Sequence, residues 1–210
     1  NEDSYLVQSP LFCVCDGMGG HAAGEVASSI AVETIAKTAP QSADAARLAA
    51  AVEAANAAVI EAALNGLGKP GMGCTATCAY IENDTLAIAH VGDSRAYLLH
   101  EGTLIRVTRD HSYVEELVDA GEITADEARV HPNRSVITRA LGSDPAMYAD
   151  HFTLHIEEGD RLILCSDGLS SMIPDSDIEN IATQSSSAQI CVDNLSLIHI
   201  SEPTRPEPIS

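Results

Sequence analysis

Three times along this chain an apolar run ends on an aspartate set in a glycine-containing turn: Phe12-Cys-Val-Cys-Asp16-Gly17-Met-Gly19-Gly20, Ala87-Ile-Ala-His-Val-Gly92-Asp93-Ser94 and Leu162-Ile-Leu-Cys-Ser-Asp167-Gly168. Each run is short and nearly continuous, the pattern of a strand covered on both faces. One Asp-Gly after a strand is ordinary turn chemistry. Three constrain the fold more, because a carboxylate at the end of a buried strand is desolvated unless something positive pairs with it. The chain has 11 Lys and Arg against 31 Asp and Glu, so bound cations are the natural partners. Carboxylates converging from strand ends without His or Cys make an all-oxygen site, which suits Mg2+ or Mn2+ better than zinc. A bridging carboxylate can hold two such ions about 4 Å apart, with a hydroxide between them for in-line attack on phosphorus. That chemistry needs no covalent nucleophile, and the sequence has no G-x-S-x-G, P-loop, H-E-x-x-H or Cys-x5-Arg motif.

With 210 residues, 45% of them hydrophobic, the chain can bury one sizeable core and is expected to form one domain. A net charge of -20 repels polyanions, and no basic stripe offsets it, so nucleic acid is excluded as a partner. The six cysteines show neither C-x-x-C nor zinc spacing and mostly sit in apolar runs, as buried reduced thiols do. Cys13 and Cys15 would project to one face of a strand. The longest apolar stretch, 48–64, is cut by Glu53, Asn56 and Glu61, so no segment of the chain is expected to span a membrane. A monomer in the cytoplasm is expected. The first residue is Asn1 rather than Met, which leaves an upstream signal or anchor open.

Strands are expected at 5–7 and 11–15, then two Ala-rich helices. Ala23, Val26, Ala27, Ile30, Ala31 and Ile35 fall at helical spacing, as do Leu48, Val52, Ala55, Val59 and Ala63, with Asn65-Gly66 as the second stop. Four short strands at 75–81, 86–91, 96–99 and 104–107 read as a meander of hairpins. From 110 to 143 two short helices, each opened by a capping box (Ser112 with Glu115, Thr124 with Glu127), form a polar insert expected outside the core. Strands resume at 152–156 and 161–165, followed by a helix at 175–182. This order predicts an α+β layered domain rather than alternating βαβ units. The stretch 196–210 carries three prolines and reads as a non-core tail; it also resembles translated sequencing-adapter read-through.

Asn1-Glu2-Asp3, Asp16-Gly17-Met18-Gly19-Gly20-His21 with Ala23-Gly24-Glu25, Gly71-Met72-Gly73-Cys74-Thr75, Val91-Gly92-Asp93-Ser94-Arg95 and Cys165-Ser166-Asp167-Gly168-Leu169 follow one another in order. Together they resemble the bacterial branch of the protein phosphatase 2C family over roughly residues 1–195. The resemblance implies a protein-serine/threonine phosphatase whose fold is a four-layer α-β-β-α sandwich of two antiparallel sheets flanked by helices, with 110–143 as a flap beside the site. It implies two metal ions, or three, of Mg2+ or Mn2+: Asp16 as the bridging ligand, the Gly17 carbonyl and Asp167 as further ligands, Asp93 on the third metal, and Asp3, ahead of Glu2, near the metals through water. The implied partners are phosphorylated Ser/Thr proteins, kinase substrates or the kinase itself. Two family features are not found. A phosphate-binding Arg would stand three residues ahead of Asn1, and the closing Gly-Gly-x-Asp-Asn motif is absent, since Asp193-Asn194 has no Gly pair before it. A catalytic domain at 1–195, incomplete at both ends, is therefore expected.

His21, just past the metal turn, reads either as a general acid for the leaving alkoxide or as a helix residue shaping the pocket. His90, inside an apolar strand, reads as a satisfied core residue, and His131 as part of a flap loop. Arg95, Arg134 and Arg139 are more readily paired with the many acids than with phosphate. A non-catalytic phosphoprotein-binding domain of the same fold is the alternative function. A metal-buffering domain is disfavoured because the aspartates lack the dense D-x-D-x-D-G spacing of calcium loops.

Overall fold

The computed structural model describes residues 2–201, with the backbone alone at 21 and 198–201. The hairpin β1 (Ser4–Gln8) and β2 (Leu11–Cys15) leads through β3 (Gly17–Met18) into helices α1 (His21–Thr38) and α2 (Ala45–Leu64). Then come β4 (Gly73–Cys74), β5 (Ala76–Glu82), β6 (Thr85–Val91), β7 (Arg95–His100) and β8 (Thr103–Arg106). Helices α3 (Tyr113–Asp119) and α4 (Ala125–Val130) precede β9 (Asp150–His155), β10 (Arg161–Cys165), α5 (Asp167–Ser170), α6 (Asp175–Gln184) and α7 (Ala188–Ser201).

A five-stranded antiparallel sheet has the order β1-β2-β5-β6-β9, and a three-stranded sheet the order β10-β7-β8. Period-two alternation sorts their side chains into layers. Cys78, Tyr80, Ala87, Ala89 and Val91 face a core shared with α1 and α2, whereas Ala79, Leu86 and Ile88 face the second sheet, where Leu162 and Leu164 meet them. Tyr97, Leu99, Ile163 and Cys165 point away from that seam onto Ile178 and Ala182 of α6 and Cys191 and Leu195 of α7. The result is the α-β-β-α sandwich that the family resemblance implies, within the α+β class read from the element order. Alanine supplies much of the α1–α2 contact; Ala23, Ala27, Ala31, Ala49 and Ala55 are buried, so the helix backbones approach closely at little cost in side-chain entropy.

The meander reading needs correction. β5–β6 and β7–β8 are hairpins, turning at left-handed Asn83 (φ 54°) and at Glu101-Gly102 (φ 49° and 81°). β6 does not pair with β7, however; it pairs with β9, and β7 pairs with β10 in the other sheet. The chain changes sheets at Gly92, whose φ of 106° and close approach to Thr75 exclude a side chain. β2 is buried on one face only, with Phe12 and Val14 half-exposed on the other, because the three-stranded sheet is too narrow to cover it fully. Only α4 carries a complete capping box; at α3, Ser112 caps the Glu115 amide while the Glu115 carboxylate turns to Arg106. All six cysteines are buried and free. Helix α7 continues through residues 196–201, so the start of the expected tail is helical, and 202–210 lie outside the described residues. Among the described residues no helix is long and apolar enough to cross a membrane.

The segment returning from the insert is fastened to α2 by one buried side chain. Asn56 Oδ1 accepts from the Gly142 amide (2.7 Å) and Nδ2 donates to the Asp144 carbonyl (2.8 Å). Asn56→Ala leaves both backbone groups without these partners and is expected to lower stability by about 2 kcal/mol, measured by urea unfolding followed with circular dichroism.

Candidate metal centre

β2 and β6 both run antiparallel to β5 and so end on the same side of the large sheet, and the Cys165 end of β10 lies beside Arg95 at the start of β7. Topology therefore brings together the residue after β2 (Asp16), the crossover between sheets (Asp93) and the residue that opens α5 after β10 (Asp167). Asp3, just ahead of β1, joins them, because β1 and β2 form a hairpin with Ser4 opposite Cys15.

Asp16 has the carboxylates of Asp3 and Asp167 as close charged neighbours. Burial first, and then the charges of Asp3 and Asp167, push its carboxyl up to about 8. Asp93 is raised to about 7, by burial first and then by Asp167 and Asp110. Asp167 is thus the common neighbour of both. Asp93 Oδ1 is buried without a hydrogen-bond partner, an expensive state for a carboxylate oxygen. Ser166 donates to Asp3 Oδ2 at 3.2 Å. Among the described residues no three His, Cys, Asp or Glu groups are drawn into a closed ligand set. Divalent cations fit this donor set: they would relieve the mutual repulsion and give the orphaned Asp93 oxygen a partner.

The backbone around the carboxylates is tightly held. The Asp16 amide donates to Thr75 Oγ1 (2.9 Å), the Thr75 amide to the Asp16 carbonyl (2.8 Å), and Thr75 Oγ1 meets Ser94 Oγ at 2.7 Å. One threonine therefore ties the Asp16 turn to the Asp93 turn. Gly17 in β3 packs so closely on α1 that a Cβ there would lie 2.3 Å from the Gly24 carbonyl oxygen. Any side chain would push β3, and Asp16 with it, off the helix.

The structure sorts the other candidates. His21 opens α1, but its side chain lies outside the described residues. Glu2 tucks against Gly24 of α1, and its carbonyl accepts from Ser28 Oγ at 2.7 Å. Asp193 lies on the exposed face of α7 and accepts from Gln189. Arg95 is committed to Asp110, with Nε and Nη2 both donating to it, and lies 3.7 Å from Asp175. Arg139 binds Asp150 Oδ1 (2.6 Å) and stacks over Tyr148, whereas Arg134 is exposed. His131 lies against Tyr113 in the insert. His90 is a satisfied core residue: its ring bonds Thr77 Oγ1 (2.9 Å) and the Arg109 carbonyl (3.0 Å), and burial, then His111, lowers it to about 4. Helices α3 and α4 carry no buried residue, but Asp110, His111 and Ser112, which open the insert, are buried. Their polarity hid this from a reading that equates polar with exposed.

Residues 2–202 match the family described as Protein phosphatase 2C. The chain belongs to the protein phosphatase 2C family. It is 42% identical over 184 residues to the serine/threonine protein phosphatase PstP of Mycobacterium tuberculosis, covering 85% of this chain and 35% of that protein. The chain thus spans about a third of the length of this curated relative. The serine/threonine phosphatase stp of Listeria welshimeri is 38% identical over 179 residues, 82% of this chain and 71% of the relative. The crystal structure of the M. tuberculosis phosphatase PstP/Ppp superposes with a TM-score of 0.88 at 38% identity, covering 94% of this chain and 85% of that one. A PstP catalytic domain in complex with two manganese ions gives a TM-score of 0.85 at 36% identity, covering 94% and 84%. The sandwich of this phosphatase 2C member is therefore the fold of its solved relatives.

Two outcomes follow from the charges at this edge. Arg95→Met leaves the Asp110 carboxylate, whose side chain is 7% exposed, with only the more distant Arg106 at 3.9 Å, and should cost on the order of 3 kcal/mol in chemical denaturation. Unfolded His90 takes up a proton near pH 6.5, whereas the folded ring does so only at about 4. Its contribution to stability is thus complete above pH 6.5 and is lost as pH falls toward 4. An NMR titration should show the His90 ring neutral down to about pH 4.

Proposed function

We propose that this chain is the catalytic part of a metal-dependent protein-serine/threonine phosphatase that hydrolyses phosphoserine and phosphothreonine in proteins, opposite a bacterial Ser/Thr kinase. The observation that carries the reading is the packing of Asp16 against Asp3 and Asp167 at the end of β2, with Asp93 and its unpartnered oxygen on the neighbouring crossover. The family membership and the names of the relatives point the same way.

Asp16, the Gly17 carbonyl and Asp167 would hold two ions of Mg2+ or Mn2+, Asp93 a third, and Asp3 would contribute through water. When bound, such ions neutralise phosphate charge and activate water for attack on phosphorus. The protein's part is to hold these ligands still. Thr75 fixes the backbone at Asp16 and holds the Ser94 hydroxyl, and the Gly17–Gly24 contact leaves β3 no room to move. Pre-set carboxylates keep the reorganisation needed at the moment of reaction small. The acidic surroundings, with a net charge of -20, repel a phosphate dianion until the cluster is neutralised, which makes substrate binding depend on the cation. His21, at the start of α1, would protonate the leaving alkoxide. Residues 1–195 would form the catalytic domain, with 110–143 as a flap beside it. Phosphorylated proteins are the partners under this reading, and the location is cytoplasmic.

Mn2+-dependent hydrolysis of p-nitrophenyl phosphate and of a phosphothreonine peptide tests the proposal. Asp16→Asn should reduce turnover by more than about a hundredfold with an unchanged circular-dichroism spectrum, and chelation of the metal should abolish it. A variant that keeps wild-type turnover would remove Asp16 from the reaction.

A further inference from the structure

The Asp93 turn is gripped by the two residues that lead into the insert. Asp110 holds Arg95 on one side of the turn. His111 holds Gly92 on the other: its backbone amide donates to the Gly92 carbonyl at 2.8 Å, and its Nδ1 accepts from the Gly92 amide at 3.0 Å. Both polar backbone atoms of one glycine are thereby taken by a single residue. Because Nδ1 accepts, the neutral ring carries its proton on Nε2. That proton is donated to Asp150 Oδ2 at 2.9 Å, while Asp150 Oδ1 accepts from Arg139 Nη1 at 2.6 Å. The imidazole is thus fixed in tautomer and orientation by a second pair of residues.

The turn needs such a clamp. Gly92 has a φ of 106° and the backbone freedom that goes with it. The next residue carries a buried oxygen without a partner and is repelled by Asp167 and Asp110. A turn free to rotate would swing that carboxylate away from its like-charged neighbours.

We infer that His111 is a positioning residue for Asp93: by binding the Gly92 amide and carbonyl it fixes the turn that aims the Asp93 carboxylate at the metal site. The inference rests on the metal-dependent reading above. His111 acts through the backbone and touches neither metal nor substrate. Its side chain is not needed to close the insert, because the returning strand is joined there by backbone, the Thr138 amide donating to the His111 carbonyl at 2.9 Å.

The test compares wild type with His111→Ala, His111→Asn and Asp93→Ala. Asparagine places Oδ1 where Nδ1 stood and so keeps the acceptor for the Gly92 amide. Mn2+ titrations followed by electron paramagnetic resonance should show Asp93→Ala losing one binding event. His111→Ala should weaken that same event about tenfold, and His111→Asn should stay within about threefold of wild type. Hydrogen exchange of the Gly92 amide, which needs neither metal nor turnover, should quicken in His111→Ala and much less in His111→Asn. Unchanged Mn2+ affinity in His111→Ala, with the event still lost in Asp93→Ala, would overturn the inference, and so would unchanged Gly92 exchange. Wild-type protein that hydrolyses no phosphothreonine peptide while Gly92 exchange still responds to His111 would overturn the phosphatase reading and leave the clamp standing.

Discussion

Everything at one edge of this sandwich answers to a single electrostatic constraint: Asp16 is crowded by Asp3 and Asp167 where burial, and then their charges, disfavour its ionised form. Proteins rarely keep such an arrangement for stability, since an apolar substitution would remove the repulsion. It persists here because three strand ends arrive at one place. β2 and β6 run in the same direction within the large sheet, and β10 ends beside the start of β7 in the small one. The sandwich is therefore a device for holding like charges close, which divalent cations would relieve under the proposed reading.

The same edge shows how a rigid surround is built from uncharged parts. Thr75 and Ser94 link the Asp16 and Asp93 turns through hydroxyl contacts, and Gly17 and Gly24 let β3 and α1 touch backbone to backbone. Arg95, a residue that invites a role in phosphate binding, is already spent on Asp110 and lies near Asp175. Its charge offsets part of the acidity next to Asp93 without leaving the protein interior, and it ties α6 to the crossover. The insert that carries Asp110 and His111 is thus anchored through the crossover and the Arg106–Glu115 and Arg109–Asp119 pairs; its helices hold no fully buried residue.

Legibility divided along a physical line. The short, nearly continuous apolar runs of β6 and β10 and the helical spacing of Ala, Val, Ile and Leu in α1 and α2 are local properties, so element types and the layered α+β class could be read from residue order. The Asp-Gly turns were legible too, because a carboxylate closing an apolar run is rare enough to notice when it recurs. Pairing was not legible. β6 and β7 are separated by only Gly92, Asp93 and Ser94, as hairpin strands are, and nothing local says that they belong to different sheets. His111 gave no signal, since its value comes from Gly92, nineteen positions away in the chain.

Residue order alone carries the make-up of the aspartate cluster, a set of carboxylates at strand ends with few basic residues to neutralise them, together with membership of the phosphatase 2C family, which ordered short motifs mark. Packing of the sheets sets which aspartates come close, puts Asp93 on a crossover between sheets with an unpartnered oxygen, and lets the base of the insert hold that crossover. The reason is that motifs and periodicity record local backbone preference. Charge repulsion, burial and hydrogen-bond partnership are properties of residues far apart in the chain, and they exist only once the sheets have packed.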